Sequence, residues 1–172
     1  MDEEKEIRIA GIVRESIVDG PGLRFTLFVQ GCPHKCPECH NPQTHDFNGG
    51  QVISHEKVLN AIFDNPLLSG VTFSGGEPFM QAKSLYLIGK EIKNKGLNLI
   101  TYTGFLFEDL LKMSENDPYI LKLIKLNDYI MDGKFELKNK TYDKTFVGSS
   151  NQRRIDVKNT IENNYKIIEK DF

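Results

Sequence analysis

Apolar residues fall along this chain in two rhythms that alternate. Ile7–Val13 alternates in part and predicts a strand. Arg24–Val29 is rich in aromatic and β-branched side chains, the composition of a buried strand. Between them residues 18–23 predict a turn, because Pro21 presets its own φ and Gly20 and Gly22 tolerate positive φ. Ser54 then caps a helix that runs to about Asp64, with Lys57 rather than Glu three residues after the cap. Val58, Leu59, Ile62 and Phe63 stand at helical spacing within it. Gly70–Ser74 predicts a short strand. Residues 81–95 carry Leu85, Leu87, Ile88 and Ile92 in a helical pattern that Gly96 ends. Asn98–Thr103 and Tyr129–Asp132 predict strands, and Leu106–Met113 and Pro118–Lys125 predict helices. From Thr160 the pattern dissolves into polar residues with scattered isoleucines and predicts no element.

Strands alternating with helices imply right-handed β/α units and a mostly parallel sheet. The expected fold class is α/β, a partial, open β/α barrel in a single domain over 1–172. A complete eightfold barrel takes about 250 residues and does not fit. In open sheets ligands bind outside the carboxyl ends of the strands. The chemistry-bearing residues obey that rule. A cysteine loop follows strand 24–29 and Gly75-Gly76-Glu77 follows strand 70–74. Thr103-Gly104 and Asp132-Gly133-Lys134 close the next two predicted strands.

Composition narrows the function classes. The formal net charge is −2, from 22 basic and 24 acidic residues, which gives no reason to expect a nucleic acid as partner. The start of the chain is too acidic for a signal peptide, and no run of roughly 18 apolar residues suggests a membrane span. A cytoplasmic location is the expectation. The only three cysteines, Cys32, Cys36 and Cys39, are clustered and odd in number, which argues against a disulfide framework and for a metal or cluster in a reducing compartment.

The cysteines are spaced Cys-x3-Cys-x2-Cys. Pro33, Pro37 and Pro42 each lack an amide donor and resist helix, so the loop should wrap a centre. Thiolates suit zinc or iron–sulfur. A [4Fe–4S] cluster normally takes four cysteines; with three, one iron would keep an open site. The rival is a structural zinc site with His34, His40 or His45 as fourth ligand, in a non-catalytic binding module. Taken singly, His34, His45 and His55 read as solvated loop or helix residues.

The cysteine loop after a first strand resembles the radical S-adenosylmethionine (SAM) superfamily. Asp19–Arg24, Gln30-Gly31-Cys32 and Cys39-His40-Asn41 are similar to its glycyl-radical-enzyme activases. Many superfamily members carry an aromatic residue before the third cysteine; this chain has Glu38, a departure shared by the activases of anaerobic ribonucleotide reductase. Met131–Phe135 and Gly148–Gln152 resemble that same subgroup. The resemblance spans about residues 11–152.

What it implies is a [4Fe–4S] cluster on Cys32, Cys36 and Cys39, whose open iron is chelated by the amino and carboxylate groups of SAM. Reductive cleavage of SAM would give a 5′-deoxyadenosyl radical, with no catalytic residue needed beyond cluster and SAM. Ser74, Gly75, Gly76 and Glu77 match the motif that meets the SAM amine. Glu77 would offer a charge-assisted hydrogen bond to it. Glu38, Cys39 and His40 would lie against the adenosine, with Thr103 beside it. Lys134 would reach the SAM carboxylate while Asp132 supports a cation or polar network. The implied partner is the large subunit of anaerobic ribonucleoside-triphosphate reductase, with flavodoxin or ferredoxin as electron donor. Pyruvate formate-lyase or another glycyl radical enzyme is the alternative partner. Gly148–Gln152 would help dock the partner or close the barrel.

Overall fold

A computed structural model describes residues 5–172, so the first acidic residues of the chain lie outside the described residues. The strands are β1 (Glu6–Ser16), β2 (Arg24–Val29), β3 (Gln51–Ser54), β4 (Gly70–Gly75), β5 (Asn98–Tyr102), β6 (Tyr129–Asp132) and β7 (Arg153–Asp156). The helices are α1 (His55–Phe63), α2 (Ala82–Asn94), α3 (Phe107–Met113), α4 (Pro118–Leu126) and α5 (Val157–Glu162). The strands form one sheet in the order β3-β1-β2-β4-β5-β6-β7. β2, β4, β5 and β6 pair in parallel, while β1 and β7 run against their neighbours. The two edge strands do not pair with each other, so the sheet is open, as an incomplete barrel requires.

Alternation along each strand divides the sheet into two faces. Phe25, Leu27 and Val29 of β2, Val71 and Phe73 of β4 and Leu99 of β5 join an apolar cluster with Ile62, Leu85, Ile88, Ile92 and Leu123 from the helices. Each such side chain contributes about 1.5–3 kcal/mol by leaving water. The alternate positions Arg24, Thr26 and Thr72 are fully buried and polar. Arg24 donates to Thr72 Oγ1 at 2.8 Å and to the carbonyls of Pro21 and Val71 at 3.0 and 2.8 Å. Burial lowers its pKa to about 10, still charged at neutral pH. Asp19 accepts from Ser16 and Thr26 at 2.5 and 3.0 Å, so the turn at 18–23 is pinned to the open face.

The cap predicted at Ser54 is present: its hydroxyl accepts from the Lys57 amide at 3.2 Å. β3, β7 and α5 were not predicted. The segment after α5 returns along the outer edge of β7, where Asp156 N donates to Ile168 O and Lys170 N to Arg154 O, each at 2.8 Å. Among the described residues no helix is long and apolar enough to cross a membrane.

Candidate functional site

The base of the cysteine loop is fixed by backbone. Gly31 N donates to Thr44 O at 2.7 Å and Cys32 N to His45 O at 3.1 Å, so the chain leaves β2 and returns beside itself. Inside the loop Lys35 and Glu38 take φ of 48° and 58°, a left-handed bend rare for residues with a Cβ. The glycine loop after β4 lies directly on this base. Gly76 N donates to Val29 O and Glu77 N to Gly31 O, both at 2.8 Å. A Cβ on Gly76 would stand 2.4 Å from the Gly31 carbonyl oxygen, and one on Gly75, at φ +96°, 2.6 Å from Val29 N. Only glycine permits so close an approach.

One cavity at the carboxyl ends of the parallel strands gathers Cys32, Cys36, Cys39, His40, Ser74, Gly75, Gly76, Thr103 and Lys134. His34, Asn41, Tyr102, Gly104, Gly133, Phe135 and Gln152 complete its lining. Three of the expected residues do not line it. Glu38 is exposed on the loop. Glu77 is fully buried behind the wall, and its carboxylate accepts from Thr103 Oγ1 (2.7 Å), Gly104 N (2.8 Å) and Phe79 N (3.1 Å). Asp132 is also fully buried, held by Arg153 and by the Phe107 amide at 2.8 Å. The Ser74-Gly75-Gly76 stretch, not the Glu77 carboxylate, therefore faces the opening.

The solvated reading of His34 and His55 is corrected. The His34 side chain is 6% exposed, its Nε2 lies 2.7 Å from Glu77 Oε2, and its ring packs edge-on against Phe105. The loop turns this ring inward because the Glu77 carboxylate supplies its partner. His55 is also buried, which lowers its pKa. Of the cavity residues that sequence reading passed over, Tyr102 had a usable signal. It sits two places after Ile100, and so on the face opposite Leu99. Its hydroxyl donates to Phe146 O at 2.6 Å, and burial pushes its pKa upward.

The thiols themselves fit an iron–sulfur group. All three are free, Cys32 buried and the others partly so. Burial raises the pKa of Cys32 and Cys36, and the Lys134 ammonium opposes that at Cys36. Among the described residues no three His, Cys, Asp or Glu side chains converge where a single ion would sit. A cluster asks for less, since each thiolate binds its own iron and need only face a shared cavity.

The family of 4Fe-4S single cluster domains matches residues 18–155. The pyruvate formate-lyase 1-activating enzyme of Escherichia coli is 34% identical over 147 residues, 81% of this chain and 56% of that protein. The chain thus spans about half the length of that relative. The anaerobic ribonucleoside-triphosphate reductase-activating protein of Escherichia coli is 31% identical over 144 residues, 79% of this chain and 90% of that protein. Its counterpart in Enterobacteria phage T4 is 33% identical over 142 residues, 79% of this chain and 85% of that protein. The chain belongs to the 4Fe-4S single cluster domain family, in the glycyl-radical-activase branch of the radical SAM superfamily, with a [4Fe–4S] cluster and SAM as cofactors.

Proposed function

We propose that this chain activates a glycyl radical enzyme by removing a hydrogen atom from a glycine Cα of its partner. The observation that carries the reading is the sharing of one open cavity by three thiols, the Ser74–Gly76 stretch and Lys134. Bound together, cluster and SAM supply a carbon radical that takes a hydrogen atom, so no protein base is required. Cys32, Cys36 and Cys39 hold the cluster. The backbone of Ser74, Gly75 and Gly76 receives the SAM ammonium, and Glu77 braces that loop from behind. Lys134 meets the SAM carboxylate by a charge-assisted bond. Asp132 supports the Lys134 turn through its pair with Arg153. Cys39, His40 and Thr103 border the adenosine.

The partner in this reading is the large subunit of the anaerobic ribonucleoside-triphosphate reductase, met in the cytoplasm, with flavodoxin or ferredoxin supplying the electron. Two relatives of that name support it. So does the resemblance of Met131–Phe135 and Gly148–Gln152 to that subgroup. Pyruvate formate-lyase is a second reading, favoured by the 34% identity to its activating enzyme. The test is an anaerobic EPR assay of reconstituted protein with SAM, reductant and each candidate partner. A glycyl radical doublet on the reductase is expected. A doublet on pyruvate formate-lyase alone would move the assignment to it. Iron-loaded protein that forms no 5′-deoxyadenosine would overturn the whole reading.

A further inference from the structure

The segments Asp132–Lys134 and Asn151–Arg153 run past one another in opposite directions. The antiparallel ladder of β6 and β7 sets this course and ends on the pair Asp132 and Arg153. Beyond that pair side chains replace the backbone ladder. Arg153 grips the Asp132 carboxylate through Nε to Oδ1 at 3.0 Å and through Nη2 to Oδ2 at 2.5 Å. Gln152 Nε2 donates to Gly133 O at 3.1 Å. Asn151 Nδ2 donates to Lys134 O at 2.8 Å. Consecutive residues of one segment thus hold consecutive residues of the other, in reverse order.

The holding segment is itself anchored. Gln152 Oε1 accepts from Gly148 N at 2.9 Å and Ser149 N at 3.0 Å. The same guanidinium of Arg153 forks onto Glu108 near the start of α3, at 3.0 and 2.7 Å. Gly133 takes φ +96°, a conformation that glycine enters and leaves at little cost. Lys134, next to it, carries its charge on a flexible four-carbon stem. The Gly133 amide donates to Phe105 O at 3.3 Å, while the hold on the carbonyls of Gly133 and Lys134 comes from Gln152 and Asn151.

We propose that Asn151, Gln152 and Arg153 are positioning residues that fix the Gly133–Lys134 turn and so aim the Lys134 ammonium into the cavity. The inference rests on the reading of Lys134 as the partner of the SAM carboxylate. It gives Gly148–Gln152 a task inside this chain rather than at a partner's surface.

The test is a cycle of variants in the reconstituted holoprotein. Asn151→Ala with Gln152→Glu removes both donors to the turn, while glutamate still accepts from Gly148 and Ser149. SAM affinity is read from the change in the EPR spectrum of the reduced cluster, beside iron content and melting temperature. Affinity is expected to fall about fivefold, the worth of one net hydrogen bond, with iron content unchanged. In the Lys134→Ala background the same pair of substitutions should cost nothing further. Equal losses in both backgrounds would mean that Gln152 touches SAM itself or that the damage is general, and would overturn the proposal. No loss with Lys134 present would do the same. If the unmodified protein binds no SAM, the functional reading fails on its own. Amide hydrogen exchange over residues 133–135 then decides the clasp, faster exchange in the variant upholding it and equal exchange removing it.

Discussion

Residues 31–77 and residues 132–153 build opposite sides of the same cavity with different materials. On the first side the contacts are backbone to backbone: Gly76 and Glu77 donate to Val29 and Gly31, and glycines meet with no room for a Cβ. On the second side the contacts come from the side chains of Asn151, Gln152 and Arg153. Backbone contacts can form only in one register, so the base of the first side is rigid, with the buried Glu77 carboxylate as a side-chain brace behind it. Side-chain contacts can be lost one by one, so the second side can be retuned by substitution.

The sharpest way to break this contrast is Cys36→Ala. Loss of cluster iron and of all SAM cleavage is expected, while the metal-free variant melts within a few degrees of metal-free parent. A large drop in melting temperature would show that the thiols, not the backbone, shape the first side. Gly76→Ala comes next. Its Cβ meets backbone atoms that cannot step aside, and a loss of about 2–3 kcal/mol in chemical denaturation is expected. Glu77→Gln should cost about 2 kcal/mol, because an amide NH2 replaces an oxygen that accepts from buried donors. A neutral result would mean that the glycine loop needs no brace.

The smallest effect belongs to the second side. Hydrogen bonds from Arg153 hold the Glu108 carboxyl below its ordinary value of 4.5. A depressed folded-state pKa adds stability that is present above the unfolded value and lost as pH falls through the folded one. The melting temperatures of parent and Glu108→Gln should therefore differ slightly at pH 7 and converge as the pH falls well below 4.5. The Glu108 side chain is 49% exposed, so solvent screens the pair and the gap should be small. A gap of equal size at both ends of that range would assign the effect to packing.

On both sides the central strands and the motifs at their ends could be read from sequence, and the edge strands and the fastenings between the motifs could not. β2 and β6 were predicted to the residue because Arg24–Val29 and Tyr129–Asp132 carry the side chains that strands bury. β7 escaped because only Ile155 of Arg153–Asp156 is buried, and its charged residues serve as fasteners. β3 escaped for a similar reason: Gln51 and Val52 are exposed, and nothing apolar repeats. Cysteine spacing and the paired glycines pointed to the carboxyl ends of the parallel strands, where one cavity gathers them. They could not give the direction of Glu77 or His34, because loop side chains follow no period. The tail beyond Thr160 has no rhythm of its own because it pairs with β7 through its backbone.

The contact between Gly76 and Gly31 also sets an order of events at the ribosome. The three thiols emerge ahead of β4, at about 5–20 residues per second. Gly31 and Cys32 can meet Thr44 and His45 as soon as those residues emerge, but the Gly76 and Glu77 amides that lock this base onto the glycine loop come later. A cluster delivered before they arrive meets three cysteines on a half-supported loop; one delivered afterwards meets a formed socket. Slowing translation just before β4 should therefore lengthen the interval in which the thiols stand open to oxidation without that second support.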